Sequence, residues 1–421
     1  MIASTLAEAS SLVAPPNGHT FGFRRVTSRE AMLFLQGKRF ENLGGIAVAR
    51  LDATDDTNTT DDDDEVTLVA VDRDGDRIYT NAGLLQVLVW DGSGTSVGKL
   101  SSPRDVAIDR AGNIAVTDPG NRRVVFLRHT GKALEVVAAH DGFSEPTGVA
   151  ADGIGGFWVC DRALGTLFHI DGATGRRRTF GLEVPFERPI AVATIPEGDR
   201  LARGKKRALV VVDRDGERLR SFDVGGALGG ARNAAELGVG AARFDDVDID
   251  YYGNVLAVDR EHHRIHKFRQ DLYPLDTFGT SGTRVGEFLS PRGIAIHRSL
   301  GQVFLTEHDG GQYLWVGTDV RDVRAEPTGQ GVSLSFVLTE DSSLELDIVD
   351  ASGRPVAHIL GGDVRRAGPQ DGTWDGTDSS GRRVANGAYV ARIRARATYA
   401  SRSTFTCEVR RSFQLGPGGA K

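Results

Sequence analysis

One frame recurs six times along this chain, at intervals of 43–52 residues, and it limits the fold more than any other feature of the sequence. It reads LVAVDRDGDRI from Leu68, NIAVTDPGNRRVVFL from Asn113 and FWVCDRALGTLFHI from Phe157. It returns as LVVVDRDGERL from Leu209, NVLAVDREHHRIHKF from Asn254 and VFLTEHDGGQYLWV from Val303. Each copy carries an acid after its apolar run: Asp72, Asp118, Asp161, Asp213, Asp259 and Glu307. Five positions later stand Arg77, Arg123, Arg218 and Arg264, while Thr166 and Gln312 break that series.

A second piece precedes each acid. It reads SSPRDVAID from Ser101, SEPTGVAAD from Ser144, ERPIAVA from Glu187 and SPRGIAIH from Ser290. ARFDDVDID from Ala242 puts Phe244 at the proline position, and residues 43–48 form a weaker copy without proline. Proline suits a loop entering a strand, because it donates nothing to a central ladder. Asp-x-x-Gly-Asn at 109–113 and 250–254 is a turn signature. Each unit therefore reads strand, turn, strand, turn, strand, with a fourth strand in the variable segment. Six such units predict an all-β, six-bladed β-propeller. The frame resembles the NHL-repeat family, most closely in the Asn121-x-Arg123-Val124-x-Phe126 third strand of 118–127 and the related 259–268. That resemblance spans about residues 43–316 and implies the fold; propellers host many unrelated activities.

Acid and arginine five residues apart across a tight turn are expected to meet and fix each blade's hairpin. A feature repeated around a ring is structural rather than catalytic, so the six acids are read as repeat anchors. Ring closure is expected to borrow a strand from residues 31–35, AMLFL, within an N-terminal segment of 1–42. Residues 54–65 hold seven acids in twelve positions and read as a solvated loop; whether they bind an ion stays open. Residues 197–207 form a small basic loop.

The pattern changes after the propeller, assigned to 43–317. A linker is expected over 318–331, then a second domain over 332–397 and an extension over 398–421. The second domain contains Asp350-x-x-Gly353-x-x-Val356, Trp374-Asp375-Gly376-x-Asp378-x-x-Gly381 and Val384-x-x-Gly387-x-Tyr389. These motifs resemble the immunoglobulin-like domain of the flagellar hook-capping protein, a FlgD-like β-sandwich. Trp374 and Tyr389 are expected to plug its core, and the Asp/Gly pairs to shape its turns. The resemblance implies an exported bacterial protein or a surface assembly. Residues 1–18 show no secretory signal, since Glu8 and serines interrupt the apolar run and no basic residue precedes Arg24. The compartment stays open between the cytoplasm and the cell surface.

Composition removes several function classes. Glycine supplies 53 of 421 residues, as frequent turns require. No apolar run approaches the roughly 18 residues of a membrane span. Net charge is −6, and before residue 329 the count is 39 basic against 47 acidic residues, which argues against a nucleic-acid binder working by bulk charge. An RNA-binding propeller would need a local basic face with aromatics. Cys160 and Cys407 lie 247 positions apart and form neither a metal spacing nor a disulfide framework. There is no Gly-x-Ser-x-Gly elbow, His-Glu-x-x-His or phosphate loop. In the cluster His262, His263 and His266, the first and third share strand parity and the second points away.

Gluconolactonase-like propellers, similar to this one, hold a catalytic metal at the tunnel with Glu, Asn and Asp ligands. The tunnel-facing positions expected here are Arg104, Thr147, Ile190, Asp245 and Arg292, with Asp248 and Asp250 close by. That set mixes signs and offers no acidic ring. No catalytic residue, metal or cofactor is assigned. Arg104, Asp245 and Arg292 are the expected contact ring at the tunnel mouth. The expected function is a non-catalytic interaction or assembly module whose partners are other protein subunits. The competing readings are a metal-dependent lactonase or lyase and an RNA-binding propeller.

Overall fold

In a computed structural model of the chain, the described residues are 11–15, 25–27, 39–51, 66–81, 86–180, 185–196, 208–223, 225, 227–237, 242–284, 286–399 and 405–416. They are organised as two compact units, which divide near residue 316.

The larger unit is a six-bladed β-propeller, and its first five blades are antiparallel, four-stranded sheets. Blade one runs Leu43–Ala49, Thr67–Asp72, Arg77–Asn81 and Val87–Trp90. Blade two runs Val106–Ile108, Asn113–Asp118, Arg123–His129 and Leu134–Asp141. Blade three holds Pro146–Ala151, Gly156–Asp161, Thr166–Asp171 and Arg177–Thr179. Blade four holds Ala191–Thr194, Ala208–Asp213, Arg218–Asp223 and Leu228–Asn233. Blade five holds Phe244–Ile249, Val255–Asp259, Arg264–Phe268 and Pro274–Phe278. Blade six is built on Pro291–His297, Gln302–Glu307 and Gly310–Val316. The first strand of each blade packs beside that of the next, and the first strand of blade six beside that of blade one.

Alternation along these strands sends apolar side chains to both faces of each sheet, so the cores lie between blades. Val69, Val71 and Ile78 of blade one meet Val106, Ile114 and Val116 of blade two. Val210, Val212 and Leu219 of blade four meet Phe244, Val247 and Val255 of blade five in the same way.

Residues 31–35, the expected closing strand, lie outside the described residues. Arg25–Thr27, earlier in the same N-terminal segment, pairs with Gly310–Gln312 of blade six. Arg25 also forms an ion pair with Glu307, which is 3% exposed. Ring closure is reinforced between blades six and one, where the Thr306 hydroxyl donates to the Gly44 carbonyl. The acidic loop 54–65 and the basic loop 197–207 also lie outside the described residues.

The second unit contains a β-sandwich. One sheet orders Val320–Pro327, Val332–Leu338 and Gly368–Trp374; the other orders Pro355–Arg365, Ser342–Asp350, Gly387–Ala397 and Cys407–Leu415. Two boundaries expected from sequence are corrected. Most of the supposed linker 318–331 is the strand Val320–Pro327, with Val320 buried and Val323 and Ala325 packed on the core. Its charged residues are interleaved with those three, with a register shift between Arg321 and Arg324, so charge density hid a half-buried strand. The supposed extension 398–421 contains Cys407–Leu415, which pairs residue for residue with Gly387–Ala395 and buries Phe413 and Leu415.

Trp374, Tyr389 and Phe413 form an aromatic triad in this core, with ring centroids 5.3 Å, 6.0 Å and 6.2 Å apart. Trp374 Nε1 donates to the Thr377 carbonyl at 2.7 Å and the Tyr389 hydroxyl to the Ala385 carbonyl at 2.7 Å, so both polar ends are satisfied. Asp350, Asp375 and Asp378 each accept a backbone N–H two residues ahead. Replacing Trp374 with Ala should destabilise this sandwich by about 3–5 kcal/mol, the usual range for truncating a buried aromatic. Urea denaturation of the variant checks this; a change within error would mean that Trp374 contributes little to the core.

Candidate functional site

The six acids are the last residues of the second strands in all six blades, and all six are buried. Four of the first five turn a carboxylate toward the segment that leads into the blade's own first strand. Asp72 accepts Asn42 N–H at 2.9 Å, Asp118 accepts Ser101 at 2.7 Å, Asp161 accepts Ser144 at 2.7 Å and Glu145 at 3.0 Å, and Asp213 accepts Glu187 and Arg188, both at 3.0 Å. Glu307 accepts Leu289 N–H at 2.9 Å. Asp259 takes His262 N–H at 3.2 Å.

The arginine five positions on is a variable addition. Arg77 and Arg123 reach their acids at 3.1 Å and 2.7 Å. In blade four the nearby cation is Arg220, buried between Phe186 and Phe222 and 3.7 Å from Asp213. In blade five His262 and His266 both meet Asp259, at 2.9 Å and 3.3 Å, whereas His263 accepts Ser290 N–H. His262 and His263 lie in the turn before the strand that holds His266, and His262 and His266 converge on the anchor carboxylate.

The first strands line a central cavity of about 410 Å³. Its walls are mostly aliphatic, with Asp105, Asp246 and Asp248 among them. In blades one, three, five and six the first strand begins with an irregular step, for example between Pro146 and Val149 and between Phe244 and Asp246. At this position of the repeat, in blade order, stand Gly45, Asp105, Gly148, Ala191, Asp246 and Gly293. Small residues fit because neighbouring strands crowd: a Cβ on Gly148 would lie 2.5 Å from Ala191 Cα, and one on Gly293 2.7 Å from the Gly44 oxygen.

The two aspartates use this position to tie blades together. Asp105 accepts Val106 N–H and, from blade three, Val149 N–H, both at 2.8 Å. Asp246 accepts Ile294 N–H of blade six at 2.9 Å, and Asp248 accepts Ile296 N–H at 2.7 Å. Arg298 binds Asp248 at 3.1 Å and the Thr194 carbonyl at 2.9 Å, joining blades four, five and six. Burial pushes the Asp105 carboxyl up to about 6 and Asp246 well above the usual carboxylate range, and the Asp105 charge raises Asp246 further. The sequence reading missed Asp105 and Asp246. The available signal was an aspartate where other copies carry Gly or Ala.

One position earlier stand the expected mouth residues. Arg104, Asp245 and Arg292 are half-buried and act on one another electrostatically, together with Arg73, the residue after the first anchor. Thr147 and Ile190, expected beside them, are instead buried: the Thr147 hydroxyl donates to the Pro189 carbonyl at 3.0 Å, and Ile190 joins the core between blades four and five. Their small or apolar side chains fit between sheets, whereas the charged ones stay at the opening. Asp250 belongs to a turn, accepting Asn254 N–H at 2.8 Å. Among the described residues, no three His, Cys, Asp or Glu side chains converge as a metal site would require.

The FlgD Ig-like domain family matches residues 321–399. The sandwich is a FlgD Ig-like domain. Its match begins on the strand Val320–Pro327 that the sequence reading had assigned to a linker. No curated protein matches the chain. Among solved structures, the chain is similar to a catalytically inactive virginiamycin B lyase from Staphylococcus aureus with quinupristin, at 10% identity and TM-score 0.43, over 71% of this chain and 93% of that one. It is similar to a nidogen/laminin complex at 17% identity and TM-score 0.45, over 68% and 96%. It is also similar to a gluconolactonase from Xanthomonas campestris at 14% identity and TM-score 0.45, over 72% and 98%.

The raised Asp105 carboxyl sets a pH dependence. Between pH 4 and 6 the unfolded chain has lost this proton and the folded chain retains it, so stability falls as pH rises through that window. Asp105→Asn should flatten the fall. Urea midpoints of wild type and variant at pH 4.5 and 6.5, compared as a difference, cancel the contribution of His129, whose ring burial pulls it down. Equal slopes would contradict the assignment.

Proposed function

We propose that this chain is a non-catalytic interaction and assembly module of a bacterial complex or cell-surface structure. It docks through propeller loops and the FlgD Ig-like domain. The observation that carries this reading is the use made of the central acids. Asp105, Asp246 and Asp248 accept backbone N–H groups of the next blade, so the carboxylates a hydrolase would need free are bound into the scaffold. The charged groups left at the mouth are dominated by arginine, which binds and orients but is a poor general base.

The sandwich supports the same reading. Cys407–Leu415 is an outer strand with an unbroken nine-pair register, and Glu408, Arg411, Ser412 and Gln414 are exposed along it. Such a regular edge suits strand addition by another chain. The opposite edge, Pro355–Arg365, is interrupted by three register shifts, a device that discourages pairing.

Isolation of the native protein under mild cross-linking tests the proposal. The expected result is stoichiometric recovery with other protein chains, with cross-links mapping to propeller loops and to 405–416. Purified chain supplied with calcium, magnesium, manganese or zinc should not hydrolyse lactones. A stoichiometric metal in the tunnel, with lactone hydrolysis lost in Asp246→Asn or Asp248→Asn, would overturn the reading in favour of an enzyme.

A further inference from the structure

Most half-buried arginines of this propeller are held by acids. Arg77, Arg123, Arg162, Arg260 and Arg298 each have a carboxylate partner at 2.5–3.2 Å. Arg73, Arg104 and Arg292 differ. Among the described residues none of the three has a carboxylate within ion-pair distance, although they share one end of the tunnel. The buried Nε atoms of Arg73 and Arg292 also lack a hydrogen-bond partner there.

Gly44 explains how the three approach. A Cβ at this position would lie 2.8 Å from Arg73 Nε and 2.7 Å from the Arg104 carbonyl oxygen. Gly293, next to Arg292, packs against the Gly44 carbonyl from blade six, where its own Cβ would come within 2.7 Å. The Arg73 guanidinium of blade one, the Arg104 main chain of blade two and Gly293, next to Arg292 in blade six, therefore meet around a position that only glycine fits. Asp245 and Asp105 act on Arg73 and Arg104, Glu145 acts on Arg104, and Asp245 and Asp74 act on Arg292, yet none of these acids lies within ion-pair distance of the three. Asp245 is bound to Arg260 at 3.2 Å, and Asp105 already accepts two backbone N–H groups. Burial, together with repulsion from Arg104 and Arg292, pulls Arg73 down to about 10, and burial lowers Arg104 and Arg292 as well. Three like charges held together in low dielectric weaken a fold unless an anion offsets them.

We propose that Arg73, Arg104 and Arg292 form a binding site for a small oxyanion carrying about two negative charges, a phosphate group or a dicarboxylate. The guanidinium fork matches both chemistries, because its parallel N–H groups meet paired oxygens. The site stands independently of the partner-docking reading, since it is complete within one chain.

Calorimetric titration of the purified full chain with inorganic phosphate and, separately, with succinate tests it, against sodium chloride of matched ionic strength. Saturable one-to-one binding of either anion, with a raised Tm that chloride does not reproduce, is expected. Tighter phosphate binding assigns a phosphate-bearing ligand, and tighter succinate binding a dicarboxylate. Arg73→Gln and Arg292→Gln should each weaken binding at least tenfold. In chloride alone each variant should match or exceed the wild-type Tm, because one of three repelling charges is gone. A purely structural arginine would lower it. Absence of saturable binding by both anions, binding unchanged in both variants, or a marked loss of Tm in chloride in both would overturn the proposal.

Discussion

The propeller depends on a buried carboxylate at the end of each second strand. The segment leading into a blade turns sharply before its first strand, and a turn at that depth strands backbone N–H groups away from water. An unpaired buried N–H costs about 1–3 kcal/mol. In blades one to four and in blade six the carboxylate supplies the acceptor, at 2.7–3.0 Å. Blade three shows which part is indispensable. It has Thr166 where four other blades have arginine, yet Asp161 still binds Ser144, Glu145 and Leu164 N–H groups. Backbone satisfaction is the constant, and the cation varies from arginine to histidine to none.

Crowding around the axis imposes the second constraint. Six first strands converge where side chains larger than Gly, Ala or Asp do not fit, and the two aspartates, from blades two and five, each fasten the following blade. The strands also carry the mouth. Once the acids are bound to N–H groups and the apolar residues are between sheets, Arg73, Arg104 and Arg292 are the charged groups left for a ligand. Blade two shows the division most plainly, with Asp105 bound into the scaffold and Arg104 just before it at the mouth.

Much of this was legible in the sequence. The six acids, their spacing and the proline-led segments gave blade number and strand order, and Trp374 and Tyr389 marked the sandwich core. The anchor partners were not legible, because a carboxylate bonded to a main-chain N–H leaves no paired side chain to find; arginine at five positions on drew attention instead. Arg73 was missed for a related reason. It follows the anchor in the second-strand frame, while the other mouth residues follow the proline, and only the closed ring brings the two frames together. The strand Val320–Pro327 was hidden by charge, since it exposes alternate arginines and acids on one face.

The account stands or falls on the anchor carboxylates acting through the backbone. Hydrogen–deuterium exchange on Asp161→Ala is the most direct measurement, because this anchor has no arginine at the fifth position to complicate the result. Amides of the segment around Ser144 and Glu145 should lose protection in the variant, with blade three opening at lower denaturant than in wild type. Unchanged protection of that segment would contradict the account, and the repeated acid would then need another explanation.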